Sequence, residues 1–342
     1  MPQKFLVIQT AFIGDVVLAT GIIEKLHHFY PEAQIDYLVR KGNESLFKNH
    51  PFLNEILVWN KQEEKFKNLF KLLLDIRRKK YDKVINVQRY AATGILTAFS
   101  GAKERVGFDK NPLSRFFSKK VPHDFNEGRE VKHEIERNNR LIEDITDETA
   151  FKPRLYPSEE DHLKVKRFKR TPYICISPAS VWFTKQYPVE KWLDMVDKVP
   201  FDYSIYLLGG ASEMALGDRI KLRTANPYVI NMCGELSFLE SVSLIEGAAM
   251  NYVNDSAPLH FASAMNAPVT AVYCSTVPQF GYGPLSDIQY IVEIPDKLYC
   301  RPCGLHGYPA CPEGHFKCAQ NIQISQLLIT LPKAPVLFPQ DD

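Results

Sequence analysis

No stretch of the 342-residue chain approaches the roughly 20 uninterrupted apolar residues that a membrane-spanning helix needs. The opening MPQKFLVIQT has too short an apolar run for a signal peptide and no small-residue cleavage site, so it reads as a first strand. A cytoplasmic location follows as the expectation. Charge of one sign is also missing. Lys plus Arg total 42 against 40 acidic residues, a net charge of +2, which gives no global attraction for nucleic acid. Three chemical signatures are absent as well. There is no G-x-G-x-x-G dinucleotide fingerprint, no P-loop and no G-x-S-x-G nucleophile elbow. Seven cysteines in a chain without an export signal read as thiols or metal ligands sooner than as a disulfide framework.

What is present is alternation. Residues 5–9 form a short buried-type strand, and a helical pattern opens at Gly14 and Asp15. Strands follow at 35–39 and 56–59, a long amphipathic helix at 63–80, and a strand at 83–87. The pattern blurs between about 110 and 170, where residues 129–147 look helical and strongly charged. A second series begins at 173–177 and continues with strands at 204–208, 228–231, 252–254 and 269–274, the last clear one. Ser237 and Glu240 have capping-box spacing, and Pro258 suits the first turn of a helix over 257–265. Repeated strand–helix–strand units favour parallel sheets covered by helices. The chain is read as two α/β domains, 1–160 and 161–342.

Ligands of open parallel sheets bind beyond the carboxyl ends of the strands, so the loops after strands carry the chemistry. After the first strand, Asp15 could take a proton from a sugar hydroxyl, or serve only as a first-turn helix acid. After the strand at 173–177, Lys185 could pair with a phosphate, or be a solvated loop lysine. In NDSAPLH the amides of Ser256 and Ala257 open a helix whose dipole favours a diphosphate. Asp255 repels phosphate and suits sugar hydroxyls instead. His260, one turn on, reads as a core histidine with a satisfied ring. Glu213, behind Gly209-Gly210, could accept from ribose hydroxyls or be a plain first-turn acid. Cys300, Cys303, Cys311 and Cys318 could hold a structural zinc, remain reduced, or pair. No catalytic metal or cofactor is expected.

Taken together and in order, these segments resemble the ADP-heptose:lipopolysaccharide heptosyltransferases, glycosyltransferase family 9. FLVIQTAFIGDVVLATGIIEKLHHFYPEAQIDYLV looks like that family's first strand–loop–helix–strand unit. SPASVWFTKQYPVEKW resembles its lysine loop, NDSAPLHFASAMNAPVTAVY its second signature, and CSTVPQFGYGPLS its donor-site loop. Ala257 departs from the family's usual glycine, and Ala11-Phe12 from its small hydroxyl residues. The resemblance implies an α/β GT-B fold, two Rossmann-like domains facing across a cleft. The first would be the acceptor domain and the second the nucleotide-sugar domain. It implies inverting, metal-independent transfer, with ADP-heptose as donor and a lipopolysaccharide inner-core acceptor. Asp15 then corresponds to the general base and Lys185 to the donor-phosphate contact. Asp255 corresponds to the donor-sugar contact, Ser256, Ala257 and His260 lie by the diphosphate, and Glu213 by the ribose. The resemblance also implies work at the inner face of the cytoplasmic membrane, with peripheral contact there. Two other readings stay open: a sugar-nucleotide 2-epimerase of the same architecture, and a non-catalytic sugar-nucleotide-binding protein.

Overall fold

A computed structural model describes residues 2–123 and 132–333. The chain divides into two compact units, Met1–Tyr156 and Pro157–Asp342. The first holds β1 (Lys4–Ile8), β2 (Gln34–Arg40), β3 (Glu55–Trp59), β4 (Lys83–Asn86), β5 (Glu104–Phe108) and β6 (Lys119–Val121) in the order β3-β2-β1-β4-β5-β6. The second holds β7 (Tyr173–Ser177), β8 (Ser204–Leu207), β9 (Val229–Asn231), β10 (Met250–Asn254), β11 (Val269–Tyr273) and β12 (Gln289–Glu293) in the order β12-β11-β10-β7-β8-β9. Every neighbouring pair is parallel. Each sheet therefore has the Rossmann order, with strand order reversing between its first and fourth strands.

The central strands read clearly because both their faces are covered. Leu6, Val7 and Ile8 of β1 are fully buried, as are Ile174 and Ile176 of β7. Three strands at or near sheet margins escaped the sequence reading. β5 begins with Glu104 and Arg105, β6 is only three residues long, and β12 exposes Tyr290 and Ile291. The expected helix over 129–147 is a correction: residues 129–131 lie outside the described residues. The rest breaks into a short helix, Glu134–Asn139, and a 3-10 turn, Glu143–Ile145.

That break has a visible cause. The segment after Asn139 folds back on the helix Thr20–Phe29, which presents Thr20, Gly21, Glu24 and Lys25 to it. Lys25 is fully buried and donates to Asn139 Oδ1, Asp147 Oδ1 and the carbonyls of Asp147 and Thr149 at 2.5–2.8 Å. A buried ammonium is tolerated because its donors are satisfied. A Cβ on Gly21 would lie 2.4 Å from the Phe151 carbonyl oxygen, so only glycine admits this close approach. The Tyr156 hydroxyl donates to Glu24 at 2.9 Å. The next residues start the second unit: Ser158 and Asp161 close a capping box on the helix Glu159–Val165. That helix meets the helix Phe238–Glu246 through Lys164 and Glu240, 2.9 Å apart.

Candidate active site

In the second unit the strand-order reversal lies between β7 and β10, and the loops leaving these two strands bring Lys185 and Asp255 together. Lys185 Nζ is 2.6 Å from Asp255 Oδ2. The two side chains are only 15% and 9% exposed, so Lys185 is not a solvated loop lysine. Thr276, just beyond β11, donates its hydroxyl to the same Asp255 oxygen at 2.6 Å. The carboxylate that looked out of place beside a phosphate site is thus the counter-charge that orients the lysine. An ammonium has three donors, and one of Lys185's goes to Asp255.

Residues that sequence reasoning passed over build the support. Asn254, fully buried, accepts from the Tyr187 amide at 2.9 Å and donates to the Pro178 carbonyl at 2.8 Å. It pins both sides of the lysine loop to the end of β10. Thr184 is held by Ser275 at 3.0 Å and by the Tyr308 amide at 2.8 Å. Gly307 has φ +78°, and a Cβ there would come within 3.0 Å of Lys185 Cγ. Arg301 donates to the carbonyls of Tyr273, Cys274 and Thr276 at the carboxyl end of β11 and to Glu293 of β12.

Ser256 caps the helix Ala257–Ala264 in extended conformation, with no side-chain capping bond, and Pro258 lies in the first turn. The helix start therefore keeps the dipole and amide character expected of an anion site. His260 is buried one turn further, its ring 6.4 Å from that of Tyr282. Glu213 turns back on its own loop, where Oε2 accepts from the Gly210 amide at 2.7 Å. A Cβ on Gly209 would lie 2.5 Å from that oxygen.

The four C-terminal cysteines are free thiols. Burial and neighbouring thiols push Cys303 upward and Cys318 up to about 12. Cys300 Sγ lies 3.9 Å from His315 Nε2. Among the described residues no group of three or more His, Cys, Asp or Glu is placed to hold a metal ion. The segment acts as a brace: the Cys303 amide donates to the Ser275 carbonyl at 2.8 Å, beside Thr276.

In the first unit Asp15 lies in the first turn of the helix Ile13–Leu18, half-buried. The N-cap is Phe12, so the carboxylate is not consumed as a capping side chain. Around it stand residues from the carboxyl ends of the neighbouring strands. The Thr10 hydroxyl donates to Gln88 at 2.6 Å, bridging the loops after β1 and β4 at the order reversal. Lys61, beyond β3, donates to the Thr10 carbonyl at 2.6 Å. Arg40, at the end of β2, lies 5.0 Å over the Phe12 ring. Burial pulls Arg40 below its ordinary value, and the Asp15 carboxylate opposes that shift. Burial, then the charges of Arg40 and Lys65, lowers Lys61 to about 8. In the sequence Lys61 is an ordinary lysine between a strand and a helix, and nothing in the local pattern distinguishes it.

Two Rossmann-order parallel sheets, the second carrying a lysine–aspartate pair and a helix start at its order reversal, define the GT-B class of fold. The chain belongs to glycosyltransferase family 9 (heptosyltransferase), whose profile matches residues 69–306, more than half its length. It is a glycosyltransferase, the first of the three readings above. It is 26% identical over 284 residues to lipopolysaccharide heptosyltransferase 3 of Escherichia coli, covering 78% of this chain and 82% of that one. It is 22% identical to lipopolysaccharide heptosyltransferase 1 of Campylobacter coli, covering 86% and 91%. The fold is shared with E. coli ADP-heptose lps heptosyltransferase II at a TM-score of 0.79 and 21% identity, over 96% of this chain and 97% of that one. A family 9 glycosyl transferase from Veillonella parvula gives 0.76 at 20% identity, with 85% of each chain covered.

Proposed function

We propose that this enzyme transfers heptose from ADP-heptose to a hydroxyl of a lipopolysaccharide inner-core acceptor, in one displacement that inverts the anomeric carbon. The Lys185–Asp255 pair at the β7/β10 reversal carries the reading, because it sets a desolvated cation beside a helix start, where a leaving diphosphate gains charge. The names of the relatives supply the sugar and the acceptor. In this scheme Asp15 accepts the acceptor's proton as its oxygen attacks. Lys185 and the amides of Ser256 and Ala257 meet the charge developing on the departing diphosphate. Asp255 holds the lysine and accepts from sugar hydroxyls, and Glu213 addresses the ribose.

A donor panel tests this. ADP-heptose and common UDP- and GDP-sugars are offered with truncated lipopolysaccharide acceptors, and product mass is read. Addition of one heptose from ADP-heptose alone is expected. Transfer from a different donor would overturn the sugar assignment, and turnover of the nucleotide sugar without acceptor would overturn the reaction.

The acceptor side has its own pH signature. Lys61 is charged below about pH 8 and neutral above it. With an acceptor that carries anionic groups, KM should rise several-fold as pH passes about 8. Lys61→Met should hold KM high at all pH values and erase that limb. The linkage sign is that of a depressed lysine: the native state releases the proton first, so the group disfavours folding at lower pH. That penalty fades as pH rises from about 8 toward the ordinary lysine value. Urea midpoints of Lys61→Met should accordingly be no lower than those of the parent near neutral pH.

A further inference from the structure

The helix Lys65–Lys79 has two apolar faces where a packed helix needs one. Leu69, Leu72 and Ile76 face the core of the first unit. Phe66, Phe70 and Leu74, spaced four apart, form a separate stripe and are exposed, Phe66 at 78% and Phe70 at 63%. Lys65 Nζ lies 5.8 Å from the Phe66 ring centre, but two aromatic rings so open to water on successive turns remain unfavourable apolar area until something covers them.

The charges around the stripe say what covers it. The helix carries Lys65, Lys67, Lys71, Arg77, Arg78 and Lys79 against Asp75 alone. Lys67 and Arg78 pair with Glu64 and Asp75, and Lys79 with Asp36 and Glu55, which leaves Lys65, Lys71 and Arg77 as the cationic excess. Arg77 donates to the carbonyl of Phe99, an exposed ring 5.9 Å from that of Phe116, itself exposed beneath Arg115. The aromatic and cationic surface thus continues past the end of the helix.

We propose that this face lies in the plane of an anionic lipid bilayer, with the Phe66, Phe70 and Leu74 side chains among the acyl-chain ends of the headgroups and the flanking Lys and Arg on lipid phosphates. An amphipathic helix with a basic polar flank and aromatic anchors has the chemistry of an interfacial segment. A second copy of the chain fits poorly, since a two-fold contact through this stripe would set its cations against themselves. The helix is in any case too short and too charged to cross the bilayer, and none among the described residues can. The chain's net charge of +2 shows that the attraction belongs to this face and not to the protein at large.

Vesicle binding tests this, and it needs neither donor nor acceptor. The full chain is mixed with vesicles of phosphatidylcholine alone or with about a third phosphatidylglycerol, and the bound fraction is measured by flotation. Binding to the anionic vesicles is expected, falling roughly tenfold or more as salt rises from about 0.1 M to about 0.5 M. F66S/F70S should lower binding by roughly tenfold or more. Its melting temperature and its transfer to a soluble, lipid-free acceptor should stay unchanged. Equal binding by the parent and the double variant would overturn the proposal, as would no binding at low salt. A concentration-dependent dimer without lipid that F66S/F70S abolishes would also overturn it, reassigning the stripe to contact between copies.

Discussion

Asp15→Asn should lower turnover by roughly a hundredfold or more while donor affinity, measured by calorimetry, stays within a few-fold of the parent. The substitution is nearly isosteric. It leaves Phe12 as the helix cap and removes only the basic oxygen and its charge. A purely structural Asp15 would behave differently. A first-turn carboxylate contributes about 0.3–1 kcal/mol to helix stability through the dipole, so its loss would lower the melting temperature slightly and leave kcat near normal. Near-parental kcat with a small drop in melting temperature would therefore take Asp15 out of the proton-accepting role. Surroundings favour the chemical role. Arg40 and Lys61 converge on the same loop from β2 and from beyond β3, and the Thr10–Gln88 bond fixes the loop's path across β1 and β4. The Asp15 carboxylate is close enough to Arg40 to act on its charge, which sets the acid in a polar loop and not on a plain helix surface.

Which parts of this were legible in the sequence follows from local physics. Strands buried on both faces announce themselves as apolar runs, and β1, β2, β7, β8, β10 and β11 were all found. β5, β6 and β12 were not, because charged or half-exposed strands lack that run. Positions after strands pointed to Asp15, Lys185 and Asp255, since the carboxyl edge of a parallel sheet is where ligands gather. That Lys185 and Asp255 meet was not legible. They lie on separate loops, and only the adjacency of β7 and β10 brings them together. The same holds for Asn254, Thr276 and Arg301, ordinary polar residues until the fold shows what they join. The double-faced helix Lys65–Lys79 read simply as amphipathic, because periodicity counts apolar positions without showing which of them the core covers.

Lys185→Ala should have the second large effect, a loss of roughly a hundred- to a thousandfold in kcat. In the proposed transfer, charge grows on the departing diphosphate, and a desolvated, preoriented ammonium would meet it without reorganisation. Preorientation is visible in the fold. Asn254 pins the loop, Thr184 is held between Ser275 and Tyr308, and Asp255 anchors Nζ. Donor KM should rise as well, for a second reason. Once Lys185 is gone, the Asp255 carboxylate is left with the Thr276 hydroxyl and repels the incoming diphosphate. Lys185→Ala combined with Asp255→Asn should therefore bind donor better than Lys185→Ala alone, a coupling between contacting residues that additive effects would not give. Lys185→Arg should restore little, because the planar guanidinium cannot place one compact charge on Asp255 Oδ2. Melting temperatures should change modestly in all three variants, since the loop is held by bonds to Asn254 and Thr184 that none of them touches. If Lys185→Ala kept kcat within a few-fold of the parent, or if the Asp255→Asn change deepened its donor-binding defect instead of relieving it, the lysine would not be the group that receives the leaving charge.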